Sequence, residues 1–309
     1  MNTSPWGPWG WPQDLFTWTI LLLGICSICG GAWALFARAT KNGETTLRRQ
    51  STFSLEKHYR WLRILLSFLS ALLSLDYLQR YLGNTPTIID ASSYWLEAKI
   101  LAQGGATFSR QAAGALVQGR FMISPPSNPG AVGVIFPPGY PFLLAFFFLI
   151  GKPLLCGPFL GALTTWLTGS LAMSWTRSAA TALLACLWST ICFALRYHTA
   201  DTISHGLSIP LSIVLLLATT NICRRLAQEC SFNRAERQKL GVLGLALGLS
   251  LGWLIATRPL TGIALGGACF LQIFWTSKNL KRTQKKQLLL SLLFPLGAGT
   301  LPGLFLLGW

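Results

Sequence analysis

The chain has 309 residues, of which 52% are apolar and only 11% charged, with a formal net charge of +16. An ordinary soluble domain carries about 25% charged residues, and a core of this size has no room for so much Leu, Ala, Phe and Trp. The basic charge does not signal nucleic-acid binding. Eighteen of the 25 Lys and Arg fall in short connections that alternate with connections nearly free of them, which is the positive-inside pattern of membrane topology.

The apolar runs are continuous rather than alternating, so they predict spanning helices, not barrel strands. The expected fold is all-α: a polytopic transmembrane helix bundle of about eight spans plus a re-entrant or interfacial segment. Trp6, Trp9 and Trp11 lie among Pro and Gly at the start, with no basic region typical of a cleaved signal. The first span is expected over residues 16–36. Arg38, Lys41, Arg48, Arg49, Lys57, Arg60 and Arg63 follow it, so this connection is cytoplasmic and the N-terminus outside.

A second span over 61–81 returns to the outer face and opens a long polar loop, 82–136. That loop begins with an amphipathic stretch, 90–103, and leads to Pro137-Pro138-Gly139-Tyr140-Pro141. Residues 142–151 are too few to cross, so they dip into the bilayer or lie along it. Further spans are expected over 153–175, 179–195, 203–222, 240–256, 260–275 and 288–307. Two more basic connections belong on the cytoplasmic side, Arg224 to Lys239 and Lys278 to Lys286. Gly244, Gly248 and Gly252 recur every four residues, the spacing that lets helices approach closely in lipid. The chain ends at Leu306-Leu307-Gly308-Trp309, straight after an apolar run. Residues 1–60 therefore read as an extra N-terminal anchor, and 61–309 as the N-terminal portion of a longer bundle.

Eight cysteines include a CxxC at Cys26 and Cys29, but it lies in an apolar helix with no second pair. There Cys acts as a small hydrophobe. Nine acidic residues remain to be weighed. Asp76 has Arg80 one turn on, the spacing of a helix-surface pair. Asp90 opens an amphipathic stretch, where it serves equally as a helix cap or as a general base at the membrane surface. Glu97, seven residues later, shares its face, with Trp95 and Leu96 on the membrane. Asp201 lies in the next outer connection, flanked by His198 and His205. Two carboxylates and two imidazoles facing one compartment suit a divalent metal or an oriented base. Arg120, Arg196 and Arg258 are outer-side cations suited to phosphate through the guanidinium fork.

In this order, these pieces resemble the GT-C superfamily of membrane glycosyltransferases, nearest the protein O-mannosyltransferase and lipid A aminoarabinose transferase branch. The likeness spans residues 61–309. It rests on Arg80-Tyr81-Leu82-Gly83-Asn84, on Asp90 with Tyr94, Ala98 and Leu101, on Phe136 to Pro141, on Asp201, and on Gly248, Gly252 and Thr257-Arg258-Pro259. The resemblance implies sugar transfer from a polyprenyl-phosphate donor at the outer face of a bacterial-type inner membrane. Asp90 would be the base and Asp201 the assisting or metal-binding acid. Arg120, Arg196 and Arg258 would meet the donor phosphate, with Tyr94, Glu97 and Tyr140 in the substrate site and His198 and His205 as metal ligands. A transporter, a lipid flippase or an inactive truncated homologue are the alternatives.

Overall fold

The computed structural model describes residues 49–105, 107–109, 122–123, 131–227, 234–278, 280 and 282–308. Ten helices account for most of them: α1 (Arg49–Arg80), α2 (Ile89–Ala102), α3 (Gly139–Leu149), α4 (Cys156–Thr176), α5 (Ala179–Ile191), α6 (Phe193–Ala200), α7 (Ser204–Ala227), α8 (Arg234–Thr257), α9 (Pro259–Ser277) and α10 (Arg282–Gly308). Between α2 and α3 lie β1 (Phe108–Ser109), β2 (Met122–Ile123) and β3 (Ala131–Val134), an antiparallel patch with β3 in the middle. The predicted outer loop 82–136 thus holds a helix and a small sheet.

Local chemistry sets the boundaries. Arg177 takes a left-handed φ of 52° to end α4, and the Ser178 hydroxyl then accepts the Thr181 amide to start α5. Pro259 occupies the first turn of α9, where its missing N–H costs nothing. Gly151, at φ +70°, reverses the chain after α3.

The helices pack in two groups. In one, α1 lies against α4, α5 and α6; in the other, α7, α8, α9 and α10 enclose a core of Leu215, Ile222, Leu247, Cys269 and Leu292. Helices α4 and α7 join the groups, and α2 with α3 covers one end over Tyr94, Tyr140, Leu144, Leu160 and Leu207. Between α1, α4, α5 and α6 the polar side chains bond across helices. Ser70 donates to the Gly161 carbonyl, Ser74 meets Thr199 at 3.0 Å, Thr190 donates to the Leu66 carbonyl, and Thr165 meets Ser189. These are the interhelical polar contacts expected in lipid. Arg63, inside α1, puts its guanidinium 3.4 Å from the Trp166 ring centroid and donates to Ser170.

Seven of the eight expected spans fall within the described residues, and fewer than seven form there. Among the described residues, five helices are long and apolar enough to cross a bilayer: 56–80 within α1, 153–176 comprising α4 and the turn before it, and α7, α8 and α9. A sixth exists only if α5 and α6 count as one, since they meet at 57°. The predicted span 179–195 breaks because Cys192 adopts extended backbone, φ −63° and ψ 112°. The apolar stretch of α10, Leu290–Phe305, is shorter than a span. The first predicted span, 16–36, lies outside the described residues, as do Cys26 and Cys29.

Two expectations are met. Asp76 pairs with Arg80 at 2.6 Å across one turn. The glycine series serves packing: a Cβ on Gly248 would collide with the Leu296 carbonyl, and one on Gly252 would lie 2.6 Å from the Thr300 carbonyl. Gly299 and Gly303 answer them from α10. Gly248→Ala should therefore force α8 and α10 apart and cost about 1–3 kcal/mol. Gly267→Ala, whose Cβ enters open space, should leave stability within about 0.5 kcal/mol or raise it. Thermal unfolding of both variants in detergent micelles measures the contrast.

Candidate functional site at the covered end of the bundle

Arg80 ends α1, and a turn through Gly83 and Asn84, with φ of 58° and 61°, sends the chain toward α2. Three residues before Asp90, Thr87 donates twice to Asp201: its amide to Oδ1 at 2.9 Å and its hydroxyl to Oδ2 at 2.7 Å. Asp201 has no exposed surface. Burial raises its carboxyl pKa, and the two Thr87 bonds pull against that rise. Beside it, the Thr202 hydroxyl reaches the Ala91 carbonyl. The turn between α6 and α7 thus holds the first turn of α2 from below.

Asp90 is not the cap of α2. Ile88 occupies the N-cap, without a side-chain hydrogen bond, and Asp90 sits in the first helical turn. Half-buried, it lies within electrostatic reach of Tyr94, Tyr197 and His205. Among the described residues nothing donates a hydrogen bond to its carboxylate. Asp201 is also within reach of Tyr197, so the two acids border one tyrosine. Their situations differ: Asp201 is locked and Asp90 is free to act.

Close backbone contacts place the remaining parts. Gly139 presses on Ala256 and Thr257 at the end of α8, where a Cβ would meet Thr257 Oγ1 at 2.5 Å, and Trp253 donates to the Gly139 carbonyl at 2.8 Å. This contact sets α3 beside Arg258, the residue after α8. Gly206 likewise lies against the His198 carbonyl, 2.7 Å from where its Cβ would stand. Its neighbour His205 then stacks on His198, with ring centroids 4.7 Å apart and planes 16° off parallel. Both Nδ1 atoms are buried without a hydrogen-bond partner. Arg258 is within electrostatic reach of both imidazoles and of Tyr94.

Tyr94 stands edge-on to Tyr140, tilts against Phe136 and lies next to the Ser204 hydroxyl. Burial pushes its phenol up. Tyr140 is 1% exposed, its hydroxyl against Cys156, and burial drives its pKa well up too. Glu97 is turned into a cavity between α2 and α3, where burial raises its carboxyl to about 8. Trp95, half-buried, packs edge-on against Phe148.

The sequence-predicted residues therefore divide. Asp90, Tyr94, His198, His205 and Arg258 come together, with Asp201 as their support. Arg196 turns the other way, donating to the Ile191 carbonyl within reach of Asp76, Tyr77 and Tyr81. Arg120 lies outside the described residues. As for a metal, no group of three His, Cys, Asp or Glu side chains gathers among the described residues, and two imidazoles fall short of the three protein ligands of a catalytic zinc. Thr87, Tyr197 and Ser204 escaped sequence reasoning. Nothing in a Thr two residues after a loop Thr marks it as a carboxylate's partner.

Because Asp201's pKa is raised, the folded state holds its proton more tightly than the unfolded chain. Its contribution to stability therefore falls as pH rises from the ordinary carboxylate value of 3.8 to its own raised value. Thr87→Val removes the hydroxyl bond and should raise that value further. Unfolding midpoints of the variant should drop more steeply than wild type as pH rises above about 4, and Asp201→Asn should flatten the difference. Parallel pH profiles for wild type and Thr87→Val would show that Thr87 does not hold the charge.

No family model, curated protein or solved structure matches this chain.

Proposed function

We propose that this membrane protein transfers a sugar from a polyprenyl-phosphate donor to a hydroxyl- or amine-bearing acceptor at the covered end of its bundle. The observation that carries the reading is Asp90: a half-buried carboxylate with no hydrogen bond among the described residues, within electrostatic reach of His205, which stacks on His198 and is also reached by Arg258. A carboxylate and a guanidinium that both reach the same imidazole and the same tyrosine suit a reaction that needs a base on one partner and a cation on the other. Asp90 takes the acceptor's proton as its oxygen or nitrogen attacks the anomeric carbon. The bond from that carbon to the phosphate oxygen breaks, and its electron pair leaves on the phosphate, which Arg258 steadies through its fork. His198 and His205 offer ring N–H donors to the same phosphate.

The split of Lys and Arg, 18 against 7, supports an outer location for this end, in a bacterial-type inner membrane with the N-terminus outside. In a variant lacking the native cysteines, Gln103→Cys should react with an impermeant maleimide on intact cells, and Arg237→Cys only after permeabilisation. Labelling of both from one side sinks that orientation.

Membranes containing the protein should transfer sugar from a polyprenyl-phosphate donor. Asp90→Asn keeps the size of the side chain but accepts no proton, so transfer should fall about 10²–10⁴-fold with the unfolding midpoint unchanged. Near-normal transfer by Asp90→Asn would refute its role. Arg258→Gln should raise the donor KM about tenfold or more, whereas Arg196→Gln, turned toward α1, should not. Movement of a solute with no sugar transfer would replace this reading with transport.

A further inference from the structure

Between α2, β3 and α3 lies a cavity of about 610 Å³, within the range of roughly 300–1,000 Å³ typical of small-molecule sites. Asp90 and Asp201 do not line it. Its walls are apolar, with Leu101, Val134, Phe136, Ala145 and Leu149 among them, and Glu97 projects into it. Phe146 and Leu149 on its rim are 58% and 69% exposed. In a chain that spans a bilayer, an apolar rim of this kind gives on to lipid, so an occupant enters from the membrane.

Glu97 Oε2 is buried and makes no hydrogen bond. A buried polar atom in that position is incomplete without a partner. The partner is set by the state of the acid. Burial, its sole perturbing influence, holds Glu97 at about 8, so at neutral pH it is a neutral group with one O–H donor and a carbonyl acceptor. No cation faces it among the described groups. Helix α3 contributes only Tyr140 as a titratable group and β3 none, while α2 itself carries Asp90, Tyr94 and the exposed Lys99. A group that both donates and accepts, without charge, completes it. An ammonium would instead have to bury an ion pair in apolar surroundings, at a heavy desolvation cost.

The geometry points to this cavity as a binding site for a long-chain membrane amphiphile with a neutral hydroxyl head, the hydroxyl bonded to the Glu97 carboxyl and the chain against the α2–α3 walls. This site does not depend on the sugar-transfer reading and is tested without any turnover.

The purified protein in lipid nanodiscs, photolysed with a diazirine-tagged long-chain alcohol, should be labelled on peptides from α2 and α3. Unlabelled alcohol should compete at least about tenfold better than its methyl ether. Labelling should fall about tenfold between pH 7 and pH 9, as Glu97 ionises. Glu97→Gln, still a neutral donor and acceptor, should keep its labelling at pH 9. Glu97→Leu should lose the preference for alcohol over ether. Equal competition by alcohol and ether, or a Glu97→Leu variant with the wild-type preference, would reduce the cavity to a greasy surface and overturn the proposal. So would a long-chain amine that outcompetes the alcohol with labelling rising through pH 8.

Discussion

One buried carboxylate organises the end of this bundle. Asp201 sits at the turn between two helices that belong to different packing groups, and it takes both of its hydrogen bonds from Thr87, 114 positions earlier in the chain. A carboxylate removed from water is costly unless donors replace the water. Here the donors come from the segment that leads into α2, so satisfying the charge and fixing that segment are one event. Two features of the site follow from that anchor: the placement of the first turn of α2 and the position of Tyr94 next to Ser204.

The second determinant is the absence of side chains at chosen points. Gly139 and Gly206 stand where backbone must touch backbone, one bringing α3 to the end of α8 and the other bringing His205 over His198. The same device, repeated through Gly244, Gly248 and Gly252, seats α10 on α8. In lipid the hydrophobic effect does not drive helices together, so close packing has to hold them. Small residues in the spans and donor-to-carbonyl bonds from Ser and Thr supply it.

Much of this was legible in the sequence, and the reasons are physical. Apolar runs of spanning length, the Asp76–Arg80 pair and the glycine series obey local rules of period and spacing, so the sequence alone reveals them. The elements that broke from expectation are those where tertiary contact overrules local pattern. Residues 179–195 read as one apolar run, yet the chain turns at Cys192 because Phe193 and Tyr197 pack edge-on against Tyr77 of α1. Asp90, opening an amphipathic stretch, read equally as a cap or as a base, yet the helix begins one residue earlier, with Ile88 at the N-cap, so the cap reading falls. Arg196 and Arg258 looked equivalent as outer-side cations. Only packing shows that one faces α1 and the other the histidines.

Three carboxyls, Asp90, Glu97 and Asp201, lie at the same end of the molecule, and their environments separate them. Asp201 is fully buried with two donors, which suits a group that holds shape rather than trades protons. Glu97 is buried without a partner, and the fall in polarity around it keeps a proton on it near neutral pH. Asp90 lies half open within electrostatic reach of Tyr94, Tyr197 and His205, with no hydrogen bond to its carboxyl among the described residues. Chain position alone makes Asp90 and Glu97 look alike, two acids on one helical face seven residues apart. Their difference arises from what α3 covers: it closes over Glu97 and stops short of Asp90. The helix that the short apolar segment 139–149 forms, too brief to cross a membrane, therefore does its work by sorting acids. It leaves one carboxyl half open at the mouth of the site and makes the other a neutral hydrogen-bonding group in an apolar wall.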